Sequence, residues 1–341
     1  MYPHIYLKQF MKPTLKKGRT KEIHKFNPAQ HPERAEVAEA KIFVFCYNAS
    51  DINSAEIKSV EETYIYKDSD KINWINIDGI SKDTVETVCT NFNIHPLIAE
   101  DILSIGQRPK MDDIDGVLFC LLNMLYFNDE HCSVEQEQIS IVLGKNFLIT
   151  FQEDANRDVF NDIRDKLRLA NSKIRTRGAD YLFYSLLDII VDHYYLVMEK
   201  LGEKIELLES EISKTSDSRS IAKINSMRKE LLILKRNVSP VRDLVTGLIR
   251  SESDLLDEKI NKYFKDVYDH IVQANEVADN YREIMASIQD HYINEVNLKM
   301  NEAMKVMAIV TCLFAPATVI GGIYGMNFEH IPFAHTAMAF I

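Results

Sequence analysis

The chain has 341 residues, of which 46% are hydrophobic and 27% are charged, and its formal net charge is −11. This length suits one or two globular domains with extensions, and the negative charge argues against duplex nucleic acid, whose phosphates need a dense basic surface. The cysteines are scattered and form no CxxC pair, which indicates reduced thiols on the cytosolic side and argues against a structural zinc knot.

Residues 1–35 differ from the rest of the chain in charge. They hold eight Lys and Arg against two Glu, and they contain no apolar run. A secretory signal needs about 7–15 consecutive apolar residues. We therefore predict a mobile basic arm at the start of the chain.

Residues 36–155 combine strand and helix patterns. Segments rich in β-forming residues lie at 41–48, 73–78, 116–127 and 138–152. The last of them contains Gly-Lys-Asn, a turn sequence that predicts a β-hairpin. Helical periods lie between the strands, at 83–92 and 95–104. This mixture predicts a cytosolic domain of the α+β or α/β class around one sheet.

Residues 156–255 are predicted to form an antiparallel helical hairpin. Apolar residues on each arm repeat at alternating spacings of three and four, and a polar break at 213–220 separates the arms. The repeats are Leu201, Ile205, Leu208 and Ile212 on the first arm, and Ile224, Met227, Leu231, Leu234, Val238 and Val241 on the second. We expect Pro240 to bend or interrupt the second arm, because proline removes a helical hydrogen bond.

A single helical pattern continues from about Leu256 to Tyr324, interrupted only by Pro316. At 1.5 Å per residue this helix would be roughly 100 Å long, so its lower part, the stalk at 256–305, must pack on other helices or on copies of itself. Residues 306–324 carry no charge. About 20 apolar residues span the hydrocarbon core of a membrane, so this segment predicts a transmembrane helix. The alternative is a buried core helix.

One face of the long helix carries a regular stripe of residues. The stripe consists of Asp290, Asn301, Met304, Ala315 and Thr318, with spacings of 11, 3, 11 and 3. At about 100° per residue all five fall within roughly a 100° arc. In a symmetric bundle each position would form a ring around the axis, and rings of carboxylate, amide and hydroxyl oxygen suit a hard cation. The alternative is an ordinary helix face.

The end of this helix resembles a known family. Tyr324-Gly325-Met326-Asn327 at the end of a membrane helix is similar to the signature of the CorA magnesium transport proteins. The resemblance covers roughly residues 40–332. It is strongest in four blocks, namely 95–110, 180–201, 263–284 and 300–332.

The resemblance implies an α+β fold and a funnel-shaped homopentamer in the cell (inner) membrane. Each subunit would have an N-terminal cytosolic α/β domain, a helical hairpin, and a very long stalk helix continuing into the first transmembrane helix. A GMN loop at 325–332 would lie at the outer mouth, and 333–341 would be the truncated start of a second transmembrane helix. The transported and regulatory ion would be Mg²⁺, with Co²⁺ or Ni²⁺ as alternatives.

The resemblance also implies which residues meet the ion. Gly325, Met326 and Asn327 would form the selectivity filter, with the Asn327 side-chain oxygen facing a hydrated Mg²⁺. Glu329 would be the remaining acid of the outer loop, since Phe333 stands where relatives carry an acid. The pore-lining positions would be Asp290, Asn301, Met304 and Thr318, while Ala315 replaces a bulkier methionine of many relatives.

Regulatory metal sites are implied between the cytosolic domains. Asp101 and Asp266 would meet across a subunit boundary, and Glu100 and Asp188 would lie near a second ion. Carboxylates brought together in this way repel one another unless a divalent ion neutralises them. The alternative for each is a solvated surface carboxylate. His270, on a predicted helix, is interpreted as a packing or surface residue.

Other functions remain open at this point. The chain has no Gly-rich phosphate loop, nucleophile elbow or candidate catalytic triad, so nothing favours an enzyme. A membrane-anchored divalent-cation sensor or scaffold without transport is one alternative. A Co²⁺, Ni²⁺ or Zn²⁺ transporter of the same family is another, although the oxygen-rich stripe favours a hard ion.

Overall fold

The computed structural model describes residues 40–67, 69–154, 157–214 and 219–325. The strands are β1 Lys41–Tyr47, β2 Ile52–Ile57, β3 Ile72–Asp78, β4 Lys110–Ile114, β5 Val117–Asn128, β6 Ser133–Leu143 and β7 Phe147–Gln152. The helices are α1 Lys82–Asn91, α2 Pro96–Leu103, α3 Asn161–Arg168, α4 Lys173–Thr176, α5 Ala179–Lys214, α6 Ser220–Arg250 and α7 Asn261–Tyr324. Short 3₁₀ helices lie at Val60–Tyr66 and Glu258–Ile260.

The strands form one seven-stranded sheet in the order β2-β1-β3-β7-β6-β5-β4. Neighbouring strands are antiparallel except β3 and β7, which are parallel. The predicted hairpin is confirmed, because β6 and β7 pair from Leu143 and Leu148 around a turn at 144–146. Glycine at the start of this turn leaves room for the Phe147 ring, since a Cβ on Gly144 would lie 2.3 Å from that ring and would force it to shift.

The two edge strands, β2 and β4, were not predicted. Their sequences are INSAEI and KMDDI, and most of their residues are exposed or half-buried. Such strands lack the apolar alternation that marks a strand with one buried face. The four strand segments that were predicted are confirmed, and each contains strongly buried residues.

Each face of the sheet supports its own apolar core. On one face, Ile75 and Ile77 of β3 pack with residues of α1 and α2, such as Val85 and Ile98. On the other face, Trp74 packs with the long helices α5, α6 and α7. Alternate strand residues point to opposite faces, so β3 contributes to both cores. The sheet therefore separates α1 and α2 from the long helices.

The predicted hairpin arms are α5 and α6, and all ten apolar seam residues are buried. However, α6 lies against α7 along more of its length than against α5, so the seam belongs to a three-helix assembly. Of the two predicted effects of Pro240, a bend or an interruption of the second arm, the interruption is wrong, because α6 continues through residue 240. Buried neighbours such as Val238 and Val241 hold this turn by tertiary packing, which overrides the local preference of proline.

The long helix α7 has 64 residues and runs unbroken through Pro316. It begins at Asn261, five residues after the predicted Leu256. Its buried residues are Phe264, Val267, Ile271, Ala274, Ala278, Met285 and Ile288. Beyond Ile288 no described residue of α7 is buried. One helix thus joins the packed part of the chain to an uncovered upper part.

Candidate metal-binding residues and membrane helix

The upper part of α7 is apolar and fully uncovered. Among the described residues one helix, α7, is long and apolar enough to cross a membrane, and none of its most apolar window is buried. Large exposed side chains there include Met307, Leu313, Phe314, Val319 and Ile323. A core helix of a soluble domain would be covered by its own chain. The alternative of a buried core helix therefore finds no support in this fold.

The predicted stripe lies on one side of this helix. Because α7 is continuous between Asp290 and Thr318, the step of about 100° per residue applies throughout the stripe. All five stripe residues are exposed. The Thr318 hydroxyl donates to the Phe314 carbonyl at 2.9 Å. The hydroxyl proton of Thr318 is therefore engaged in a hydrogen bond within the helix, and the hydroxyl oxygen can still accept a hydrogen bond.

Two further polar residues share the stripe and were missed from the sequence. Projection of α7 at about 100° per residue places Asn297 and Thr311 within the same arc. The Thr311 hydroxyl also donates to a helix carbonyl, that of Met307, at 2.9 Å. Both residues lie seven positions before a stripe residue, at 304 and 318. That heptad spacing was the signal that could have found them.

The predicted filter begins where the described part of the helix ends. The Gly325 amide donates to the Gly321 carbonyl at 2.9 Å, which closes the last turn of α7. Met326, Asn327 and Glu329 lie outside the described residues, as do the basic arm at 1–35 and the segment at 333–341. Their roles stay predictions.

A cluster of three possible metal ligands lies where α5 packs on α7. One ligand atom from each of Asp188, Asp192 and His270 lies within 4.8 Å of the others. Asp188 and Asp192 are one turn apart on α5, while His270 follows Asp266 by one turn on α7. Two carboxylate oxygens and an imidazole nitrogen can together hold a divalent cation. We call these three residues the acid–His cluster.

Electrostatics at the acid–His cluster favour a bound cation. Burial raises the pKa of Asp188, and the nearby charges of Asp192 and Asp266 raise it further. The Tyr184 hydroxyl donates to Asp188 Oδ2 at 3.2 Å, which partly offsets this effect. Repulsion among these three carboxylates is relieved when a cation binds.

His270 occupies a place that the sequence interpretation overlooked. Its Nδ1 atom is buried and has no hydrogen-bond partner among the described residues. Its backbone carbonyl accepts a hydrogen bond from the Tyr195 hydroxyl at 2.6 Å, which ties α7 to α5. Asp192 was also missed. The signal for both was a spacing of four, Asp188 to Asp192 and Asp266 to His270.

The other two predicted regulatory acids lie on α2. The Pro96 ring and the His95 side chain start this helix, and His95 Nδ1 accepts from the Leu97 amide at 3.2 Å. Asp101 accepts from Gln107 Nε2 at 2.8 Å and from Lys110 Nζ at 2.5 Å. Glu100, one residue earlier, is exposed.

The described chain does not bring all four predicted acids together. Asp188 and Asp266 lie near each other, on the face of the sheet that carries the long helices. Asp101 and Glu100 belong to α2, which packs on the opposite face. A contact between Asp101 and Asp266 would therefore have to come from a second copy of the chain.

Comparison with known proteins supports the same interpretation. Residues 69–341 match the family model described as CorA-like Mg²⁺ transporter protein. The cobalt/magnesium transport protein CorA of Thermotoga maritima is 36% identical over 293 residues, which cover 86% of this chain and 83% of that protein. The zinc transport protein ZntB of Yersinia pseudotuberculosis is 18% identical over 259 residues, covering 76% and 78%.

The fold agrees with a solved structure of a full-length protein. The complete structure of the CorA magnesium transporter from Methanocaldococcus jannaschii superposes with a TM-score of 0.70 at 22% sequence identity. The match covers 88% of this chain and 91% of that one. It includes both the sheet domain and the long helix, so the architecture described above is shared.

Proposed function

The chain belongs to the CorA-like Mg²⁺ transporter protein family, and from that membership we propose that it carries Mg²⁺ across the cell membrane through a pore lined by α7 from five copies. The observation that carries this proposal is the uncovered upper part of α7, where an apolar helix bears a stripe of oxygen-bearing side chains. The apolar faces would contact lipid and neighbouring helices, and the stripe would face the axis.

The stripe suits an ion that keeps its water. Mg²⁺ loses its hydration shell reluctantly and is usually held through several bound waters. Rings of Asp290, Asn301 and Thr318 would offer acceptors for the hydrogens of those waters. At the outer end, Gly325, Met326 and Asn327 would form the filter, and Glu329 would add negative charge to the loop outside it.

We propose that the same ion controls the pore. Asp101 of one copy and Asp266 of the next would share a cation, and the acid–His cluster with Glu100 would hold a second. Bound cations would draw the copies into a closed, symmetric ring, and their loss would favour a looser state. Lys110 is paired with Asp101 at 2.5 Å in the single chain, so a cation at this site must compete with that ammonium.

The central test is flux into liposomes. The chain, extended by a complete second transmembrane helix, is reconstituted around a Mg²⁺-sensitive dye, and the initial rate is measured for wild type, Asn327→Ala and Asn301→Leu. We expect either substitution to lower the rate or the selectivity for Mg²⁺ at least about tenfold, since an acceptor ring is lost. Ile320→Ala, on the opposite face of α7, is the matched control and should retain the wild-type rate.

Two results would contradict this function. If wild type shows Mg²⁺ binding but no flux, the alternative of a membrane-anchored sensor or scaffold is correct. If Asn327→Ala and Asn301→Leu conduct like wild type, the assigned ion path is wrong.

A transition metal is the second candidate cargo or regulator. The observation in its favour is the imidazole of His270 beside two carboxylates, a ligand set that binds Co²⁺, Ni²⁺ or Zn²⁺ more readily than Mg²⁺. Parallel flux assays with these ions separate the cases. A Co²⁺ or Zn²⁺ rate above the Mg²⁺ rate would assign the cargo to the transition metals.

A further inference from the structure

A second charged pocket lies in the sheet domain, away from the ion path. Its volume is about 380 Å³. Residues from β1, β3, α3 and the segment before α3 line it, and they are Lys41, Phe43, Phe45, Asp78, Asp158, Asn161, Arg164 and Arg168. Asp78 and Gln152 are the last residues of the parallel strands β3 and β7 and are paired in register. Ligands of open α/β sheets commonly bind outside the carboxyl ends of such strands.

The floor of this pocket is polar and buried. Asp78 is 3% exposed and accepts a hydrogen bond from Asn76 Nδ2 at 2.9 Å. Its in-register neighbour Gln152 does not line the pocket, but it is fully buried, and neither atom of its amide has a hydrogen-bond partner among the described residues. Buried polar groups are normally satisfied, so ordered water is expected next to Gln152.

Three cationic side chains surround the opening. Arg164 is ion-paired with Asp158, and both side chains are only about a tenth exposed. Its guanidinium also lies over the Phe45 and Trp74 rings, at 5.8 and 5.4 Å from their centroids, so its position is fixed. Arg168 follows one turn later on α3.

The two rim cations are available to a ligand. Among the described residues Arg168 pairs with Asp165, and both of these side chains are more than 60% exposed. Such exposed ion pairs are weak and readily exchanged. Lys41 has no ion-pair partner among the residues that the structure describes. Three cations and two carboxylates line the pocket, and Asp158 is already paired with Arg164. Asp165 is not a lining residue, and an anion that displaces its exposed pair with Arg168 would meet both rim cations.

We infer that this pocket binds a small oxyanion, the phosphate or carboxylate group of a small molecule, between Lys41, Arg164 and Arg168. Charge-assisted hydrogen bonds from guanidinium groups are the recognised means of holding such groups. Phe43 and Phe45 provide an apolar wall for the rest of the ligand. This site requires neither the membrane helix nor the acid–His cluster, so it is independent of the transport proposal.

Asp78 makes the binding of an anion depend on pH. Burial and the neighbouring charge of Asp158 raise the pKa of Asp78 to about 6, while Asn76, Arg164 and Lys41 act in the opposite direction. An anion in the pocket repels ionised Asp78, so binding should be tighter at pH 5.5, where Asp78 is mostly protonated, than at pH 7.5.

The sole tryptophan of the chain reports on this pocket. The Arg164 guanidinium lies 5.4 Å from the centroid of the Trp74 ring, so the fluorescence of Trp74 should respond when an anion binds that guanidinium and changes the local electric field. The detergent-solubilised full chain is titrated with sodium sulfate at constant ionic strength. Sulfate is chosen because it stays a dianion over this pH range, so its own charge does not change. Phosphate and acetate arms at pH 7.5 then distinguish the two ligand sources.

We expect a saturable change in wild type, and at least about tenfold weaker binding in the Lys41→Ala/Arg168→Ala double variant, which leaves the buried Arg164 in place. Lys82→Ala/Arg282→Ala removes two remote surface cations and should bind like wild type. Asp78→Asn should bind anions with no change in affinity between pH 5.5 and 7.5.

Tighter binding of phosphate than of acetate assigns a phosphorylated ligand, and tighter binding of acetate assigns an organic acid. An unsaturable response, or equal binding by wild type and the double variant, overturns the inference.

Discussion

At the scale of single residues, the acid–His cluster combines ligands of different hardness. Asp188 and Asp192 supply oxygen, which Mg²⁺ prefers, and His270 supplies nitrogen, which transition metals prefer. The Nδ1 atom of His270 has no hydrogen-bond partner among the described residues, so a metal at this nitrogen would displace no hydrogen bond seen here. The imidazole should therefore decide between the two kinds of ion.

We expect His270→Ala to weaken Co²⁺ binding at least about tenfold and to leave Mg²⁺ binding within about twofold of wild type. Isothermal titration of the full chain with each ion measures the effect. His193→Ala is a matched control, because His193 is another half-buried histidine but packs against the Tyr126 ring, at a centroid distance of 6.4 Å. Equal losses for both ions, or a loss in the control, would argue against a direct ligand role.

The raised pKa of Asp78 predicts that the free energy of unfolding falls as pH rises. Its folded-state pKa of about 6 lies above the ordinary value of 3.8, so the folded chain holds this proton more tightly than the unfolded chain. The resulting stabilisation is present below about pH 4 and is lost as pH rises through 6, at up to roughly 2–3 kcal/mol. We expect Asp78→Asn to gain stability over wild type at pH 7.5 and to lose that advantage at pH 4.5.

Chemical unfolding of the two proteins in sulfate-free buffer, followed at both pH values, measures this difference. Comparing the variant with wild type at each pH cancels the titration of the other carboxylates. Asp113→Asn, the same change at an exposed position of β4, controls for general sensitivity to the loss of a charge. A stability difference independent of pH would show that Asp78 does not titrate in this window.

The residues of the stripe could be predicted from spacing alone, because one continuous helix converts sequence distance directly into angle. The same arithmetic would have included Asn297 and Thr311. Asp192 and His270 were harder, since their proximity depends on how α5 packs on α7, which no local pattern specifies. Asp78 and Gln152 became neighbours only through the parallel pairing of β3 and β7, whose strands are almost 70 residues apart.

At the scale of elements, polar links attach α6 to the sheet. Asn237 is 2% exposed, accepts from Asn123 Nδ2 at 2.8 Å and donates to Gln136 Oε1 at 2.9 Å. Closer to the start of the helix, buried Glu230 accepts from the Val134 amide at 2.7 Å. These bonds fix the helix at two points along β5 and β6, so movement of α6 would be transmitted to the sheet domain.

We expect Asn237→Ala to lower the free energy of unfolding by roughly 1–3 kcal/mol, because it leaves the buried amide of Asn123 without its partner, whereas the exposed Gln136 can bind water instead. Ser239→Ala is the control on the same helix. It removes a bond of 2.6 Å to Asn275 at a half-buried position and should cost about 0.5–1 kcal/mol. Denaturant unfolding of both variants tests whether Asn237→Ala loses more free energy of unfolding than Ser239→Ala. Equal losses would mean that the buried network contributes no more than a half-buried hydrogen bond.

Strands and helices could be told apart from the sequence where burial places apolar residues at a regular spacing. The core strands and the hairpin seam carry apolar residues at spacings that only one secondary structure can bury. The edge strands β2 and β4 have no such regular spacing of apolar residues, because backbone groups make their pairing with the neighbouring strand. The predicted interruption at Pro240 failed for the opposite reason. Proline does disfavour the interior of a helix, but the packing of α6 on α7 and on the sheet outweighs this local preference.

At the scale of the whole molecule, α7 contains a segment that the described part of its own chain leaves uncovered and that lipid cannot cover. Between Ile288 and Val306, exposed apolar side chains such as Ile293, Leu298 and Met300 alternate with charged residues. The charges, Glu295, Lys299, Glu302 and Lys305, exclude this segment from the hydrocarbon core. Only protein can cover its apolar face, and the simplest source is another α7.

This argument predicts an oligomer whose α7 helices face one another along the stripe. We expect Asn297→Cys, in a background with Cys46, Cys132 and Cys312 changed to Ser, to form cross-linked dimers with a short bismaleimide. Glu302→Cys lies on the opposite face of the helix, by the step of about 100° per residue, and should give few. The full chain in detergent should show the mass of five copies by light scattering. A monomeric mass, or equal cross-linking at 297 and 302, would contradict a pore built from the stripe, because rings of Asp290, Asn301 and Thr318 exist only if several copies of this face share one axis.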